Sequence, residues 1–258
     1  MDETNTEPAT FARPVLLACV VVALVLLQVL ALPSDHVRGT DTTPTMVVAW
    51  HIVWFVTVGV ALACMDLLDS WSVPRAGLVV LVLAAAVLVT NYLEIAIVSD
   101  LCKIGFAGVA GRLFVRAVER PWWMIAVGLS VPVADAWSVF SDRGVTNAVV
   151  DKGMSDPRWL TWPTVASPVP YAPYEEFMRI GIVDVLFFAL FVAAAQRWHL
   201  GVWRVVPAGA LSFVAGTVML LVKPSAAIPA LPLLCLAFLV VTAPGLWADI
   251  RAARSDSG

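Results

Sequence analysis

Residues 121–140 read PWWMIAVGLSVPVADAWSVF, and residues 177–196 read FMRIGIVDVLFFALFVAAAQ. The first stretch carries one charge, Asp135, and in the second Asp184 is the only acid. Each is about the twenty apolar residues that a helix needs to cross a bilayer. Between them runs a polar loop holding Asp142, Arg143, Asp151, Lys152, Asp156, Arg158, Glu175 and Glu176. If both stretches are helices, Asp135 lies eight residues from Arg143 and Asp184 eight residues from Glu176. At ~1.5 Å rise per residue, both carboxyls then sit roughly 12 Å in from the same face. An acid at membrane depth costs about 2.5–3.5 kcal/mol, so two at matched depth on neighbouring helices point to a shared task.

The rest of the chain supports a membrane setting. Hydrophobic residues make up 60% of it and charged residues only 14%. Apolar runs at residues 14–32, 46–65, 76–92, 121–140, 177–196, 202–222 and 224–246 are long enough to span. The stretch 95–118 is interrupted by Asp100, Lys103, Arg112 and Arg116, and reads as a short or amphipathic span or as a helix packed against the bundle. The expected fold is an all-α, polytopic transmembrane helix bundle of seven or eight spans, a single integral membrane domain over residues 1–258. The leader MDETNTEPATFAR is acidic and its apolar run is long, which fits a retained helix better than a cleaved signal peptide. Cys19, Cys64, Cys102 and Cys235 fall in or beside separate spans, with no CxxC and no sign of a disulfide framework or metal site.

Two segments bear on the aspartates. The longest connection, 141–174, contains Pro163, Pro168, Pro170 and Pro173 and is expected to be stiff and extended; its Trp159, Trp162, Tyr171 and Tyr174 suit an interfacial linker equally well. The last span opens KPSAAIPALPLL, with Pro224, Pro229 and Pro232 within nine residues. Proline removes a backbone donor and clashes with the preceding turn, so this opening is either a distorted helix facing an internal site or a loop with the helix starting at Pro232.

Three short motifs occur in order: Ala134-Asp135, then Gly181-Ile182-Val183-Asp184, then Pro229-Ala230-Leu231. In this the chain resembles the presenilin and signal peptide peptidase family, the GxGD intramembrane aspartyl proteases, as a member of bacterial type. That family has one catalytic aspartate in a YD motif, a second in a GxGD motif on the next helix, and a PAL motif opening the final helix. The resemblance covers residues 121–248; residues 1–120 carry spans without a recognised motif. It implies a presenilin-like bundle, catalytic roles for Asp135 and Asp184, and substrate contacts from Gly181, Val183, Pro229, Ala230 and Leu231. It further implies transmembrane helices or signal-peptide remnants as substrates, with no cofactor and no metal, and in a bacterium a multi-pass protein of the plasma membrane. Two positions depart from the family pattern: Ala134 stands for tyrosine and Val183 for the second glycine.

Two close carboxyls in low dielectric share a proton, and such a dyad can activate water with one member and polarise a carbonyl with the other. Two other readings remain open. The chain is an inactive family member that binds membrane helices, or a transporter that carries protons or cations on the acids. Asp66 and Asp69 read as interfacial ends of the second span. Glu94 and Asp100 are placed to pair with Lys103 or Arg112. His51 reads as a packed or hydrogen-bonded core residue. With His36, His51 and His199 far apart and no HExxH, a metalloprotease is not expected. No Gly-rich phosphate loop is present, and nucleic acid is not an expected partner; the lipid bilayer is.

Overall fold

A computed structural model of the protein describes residues 9–30, 43–141, 143–156, 158–166, 179–222 and 230–255. The helices are α1 (Ala9–Leu30), α2 (Pro44–Cys64), α3 (Val73–Tyr92), α4 (Ala96–Ala117), α5 (Trp123–Phe140), α6 (Val145–Ser155), α7 (Arg158–Thr161), α8 (Ile182–Arg197), α9 (Val202–Val222) and α10 (Ala230–Ser255). A 3-10 segment, Met65–Ser70, continues α2. Between α7 and α8 two three-residue strands, β1 (Thr164–Ala166) and β2 (Arg179–Gly181), pair antiparallel. Prolines begin the early helices as their fixed φ favours: Pro44 opens α2 and Pro74 lies in the first turn of α3.

The helical bundle agrees with the expected class. Five helices are long and apolar enough to cross a membrane: Pro44–Ser70, Val73–Tyr92, Trp123–Phe140, Val202–Val222 and Ala230–Ser255. A shorter apolar stretch, Pro14–Leu27, lies in α1. The expected seven or eight spans are thus supported as five. Three expected segments fall short: the apolar stretch counted in α1 is only Pro14–Leu27, and the other two have physical causes. Residues 179–181 pair as a strand instead of forming the first turn of the helix, so α8 is only 16 residues long. The helix α4 is long enough, but its charges lower its hydropathy.

That interrupted segment is one continuous helix packed inside the bundle, against α3 on one side and α8 on the other. Its charges are partnered, and Asp100, Lys103 and Arg112 are buried. Lys103 bonds Asp100 at 3.1 Å, whereas Arg112 reaches back to Asp69 at 3.0 Å and also donates to Leu62 O and Gln196 Oε1. Asp69 is therefore the partner of Arg112, in addition to being half-exposed at the end of the second span. Glu94, in a left-handed turn between α3 and α4 (φ 57°), forms no ion pair with Lys103 or Arg112 among the described residues.

The core is built around α8. Val185 and every residue from Phe188 to Ala195 are buried, and Phe191 stacks on Phe238 of α10 with centroids 4.2 Å apart. Phe55 of α2 stacks on Phe213 of α9 at 4.7 Å, with Phe188 edge-on to the same ring. His51 is buried and its Nδ1 lies 2.7 Å from Val47 O, a hydrogen-bonded core histidine as expected. By contrast α5 buries only Met124 and Gly128. Its outer face, with Leu129, Val133, Trp137 and Phe140, is exposed, as suits a helix at the rim of a bundle in lipid.

Candidate active site

The site forms where three elements meet: the middle of α5, the first turn of α8 and the first turn of α10. Asp184 is the third residue of α8. Its Oδ2 accepts the Gly181 N–H at 3.1 Å, which satisfies a donor just outside the helix and places an anion at the positive end of the helix dipole. Gly181 is extended, not left-handed, with φ −58°. The requirement for glycine there is space: a Cβ would lie 2.8 Å from Asp184 Oδ2.

The hairpin carries the chain to this point. Thr164 pairs with Gly181, Val165 with Ile180 and Ala166 with Arg179, and the Ile182 N–H donates to Pro163 O at 2.8 Å to continue the ladder into α8. Asp184 therefore lies in the first turn of its helix, not a full two turns inside it. The matched-depth argument from an uninterrupted helix over 177–196 is corrected accordingly. The two carboxyls are nonetheless near enough for their charges to interact.

Asp135 lies on α5 one turn after Pro132, which removes a backbone bond within that helix. Its carboxyl comes within reach of the Leu231 N–H of α10, one of the first-turn donors that have no partner inside the helix. The second oxygen, Oδ2, is buried with no hydrogen-bond partner among the described residues. Asp135 and Asp184 are close enough for their charges to act on each other. The buried thiol of Cys235, one turn along α10 from Leu231, feels both.

Of the other expected site residues, Leu231 is buried and Ala230 half-buried at the start of α10. Pro229 lies outside the described residues, as do Pro168, Pro170, Pro173, Tyr171, Tyr174 and Pro224. The helix begins at Ala230 and places Pro232 in its first turn, where a missing N–H costs nothing. Val183 is half-exposed, 50%, and does not mediate the approach of another helix. The expected extended linker instead contains α6 and α7 before it reaches β1; Trp159 and Trp162 are exposed. Outside the bundle, hydrogen bonds from Arg158 to Asp156 hold that carboxyl below its ordinary range.

An open groove of about 790 Å³ is lined by Pro132, Val133, Ala136, Trp137 and Phe140 of α5 and Ser141, with Pro232 of α10; neither aspartate lines it. Cys235 and the hairpin are parts of the site that the sequence reading did not single out. Cys235 has a sequence signal in hindsight, since it follows Leu231 by four residues and so lies on the same helix face. Among the described residues no three His, Cys, Asp or Glu side chains gather as a metal-binding group. No protein-family model, curated protein or solved structure compared with the chain matches it.

Proposed function

We propose that the protein is an intramembrane aspartyl endopeptidase that hydrolyses peptide bonds of transmembrane helices or signal-peptide remnants. The observation that carries this reading is the convergence of Asp135 and Asp184, from separate helices, at the N-terminus of a third helix that begins Ala230-Leu231. A single buried acid can be accommodated by a hydrogen bond. Two that act on each other are costly unless they share a proton, and a shared proton is the working state of an acid–base dyad.

The chemistry follows from that state. The ionised carboxylate takes a proton from a water held between the pair, and the water oxygen bonds to the scissile carbonyl carbon. The protonated carboxyl donates to the carbonyl oxygen as it gains charge. The tetrahedral diol then collapses: the C–N bond breaks, the leaving nitrogen receives a proton from the dyad, and the new carboxyl product departs. Neither aspartate becomes covalently bound to substrate. The Gly181 N–H fixes the orientation of Asp184, and the Leu231 N–H lies near the Asp135 carboxyl.

A helical substrate hides its carbonyls, so it must be unwound before attack. The groove on the outer face of α5, the helix that carries Asp135, is apolar and open, which suits a membrane helix arriving from lipid. Among the described residues β2 has no second strand on its outer edge, next to Gly181, and an extended segment can add there. In a bacterial cell the protein would sit in the plasma membrane.

The test is cleavage of a model signal-peptide helix by the purified protein in detergent, beside Asp135→Asn and Asp184→Asn. The expected result is cleavage by the wild type and none by either variant, with all three folded. Equal cleavage by variant and wild type would sink the dyad. Binding of the helix without cleavage would favour an inactive helix-binding relative. Proton flux in liposomes, abolished by the same variants, would favour a transporter.

A further inference from the structure

We propose that Asp100 and Lys103 of α4 are positioning residues for Asp184, acting through strand β1. Both side chains are buried, with residue exposures of 5% and 1%. The ammonium of Lys103 has three protons to donate, and its three acceptors are Asp100 Oδ1 at 3.1 Å, Thr161 O at 2.7 Å and Thr164 O at 2.8 Å. Two of those three lie on the α7–β1 connection, about sixty residues further along the chain. The other Asp100 oxygen, Oδ2, accepts the Ala166 N–H at 3.2 Å. The pair thus grips β1 at both ends: its first carbonyl is held by the cation and its last amide by the anion.

A two-stranded ladder of three residues per strand is marginal by itself. Something outside it must hold it, and here a charge pair on a core helix does so, together with the fully buried Val165. What β1 holds in turn is the approach to Asp184. Thr164, bonded by Lys103, is the ladder partner of Gly181, and the Gly181 N–H is the donor that orients Asp184 Oδ2. The path from α4 to the carboxyl therefore runs from the ammonium to Thr164, across the strand pairing to its opposite residue Gly181, and from the Gly181 N–H to Asp184. Apolar packing would bury the same surface at lower cost than two desolvated charges. What the charges add is direction, since each fixes one backbone group of β1 in register. Arg179, opposite Ala166 at the far end of the ladder, lies near enough for its charge to act on both members of the pair.

The catalytic consequence rests on the proposed diaspartyl reading, but the clamp itself does not. The experiment therefore has two arms, using the full-length protein in detergent. The first is backbone amide exchange of the wild type and of Asp100→Asn/Lys103→Met, which removes both charges and strands neither. Faster exchange over residues 179–186, with 202–222 unchanged as a control for folding, is the expected result; unchanged exchange at 179–186 overturns the proposal.

The second arm is cleavage kinetics in a cycle with Gly181→Ala. Loss of the clamp is expected to lower kcat on the order of 10²-fold, as a misplacement of about 1 Å does, with KM nearly unchanged. Added to Gly181→Ala it should cost little more, because both act on the same hydrogen bond. Fully additive losses, or a rise in KM alone, would mean that the pair only holds the fold, and would overturn the positioning role. A wild type that cleaves nothing refutes the protease reading, and the exchange arm then decides the clamp unaided.

Discussion

At the scale of single residues, Gly181 shows how a motif position acquires a physical reason. Its backbone conformation is open to any residue, but the place where a Cβ would go is occupied by the Asp184 carboxylate. Gly181→Ala must rotate that short side chain away and break the Gly181 N–H bond. We expect kcat to fall on the order of 10²-fold with the thermal midpoint nearly unchanged, because one exposed-edge hydrogen bond is lost and no core contact. Kinetics and thermal unfolding of the same preparation check this; a normal kcat would mean that Asp184 does not need the bond. Val183 tells the opposite story. A β-branched residue beside a catalytic-type aspartate reads as an obstacle to close helix approach. In the structure its side chain is half-exposed, so it is not buried in a close helix contact. The two aspartates were legible because a lone acid in twenty apolar residues stands out. The Gly181 N–H that holds Asp184, and the Leu231 N–H near Asp135, were not, because backbone groups leave no mark in composition.

Among the elements, the pair α4–α8 decides where Asp184 stands. The helices approach so closely at Gly111 that a Cβ there would lie 2.8 Å from Leu190 N and 3.0 Å from Ala189 C. Both are backbone atoms, which cannot step aside as a side chain can, so Gly111→Ala forces the helices apart. A loss of about 1–3 kcal/mol is expected, the usual cost of overpacking. It should appear as a lower thermal midpoint together with reduced cleavage, since α8 carries the aspartate; a midpoint equal to the wild type would show that the contact is loose. Hydropathy found most of the helices but left 95–118 undecided. The reason is that what makes α4 a core helix lies elsewhere in the chain: Asp69 is 43 residues before Arg112, and Thr164 is 61 after Lys103. No local window contains both halves of those pairs. The strands escaped for a related reason. Three residues show no period-2 pattern, and β1 sits in a proline-rich stretch that suggests extension without saying to what it pairs.

Over the whole molecule, polar interactions are placed at two levels of an otherwise apolar bundle, the Asp100–Lys103 clamp near the aspartates and the Arg112 cluster near the far end of α8. The second ties the end of α2, α4 and α8 together through Asp69, Leu62 O and Gln196. Arg112 is buried and Asp69 half-exposed, so the two are not equivalent. Asp69→Leu strands a buried cation and is expected to cost about 3 kcal/mol. Arg112→Met leaves a carboxylate that water can reach and should cost less; the reverse order in thermal unfolding would place the burial of charge on the wrong partner. The site itself makes a demand of a different kind on the molecule, because its activity depends on one proton shared between two carboxyls. At low pH both are protonated and no base remains to activate water. At high pH both are ionised, and nothing donates to the carbonyl oxygen or resupplies the leaving nitrogen. Cleavage rate against pH should therefore be bell-shaped, with limbs that belong to the pair rather than to Asp135 or Asp184 alone. Either single Asp→Asn change should abolish the whole curve, since an amide can neither take up the proton nor give it back. A mechanism that runs on the two carboxyls and water also predicts the same curve in the presence of EDTA. A sigmoid profile, or a curve that chelator flattens, would require a different catalytic group.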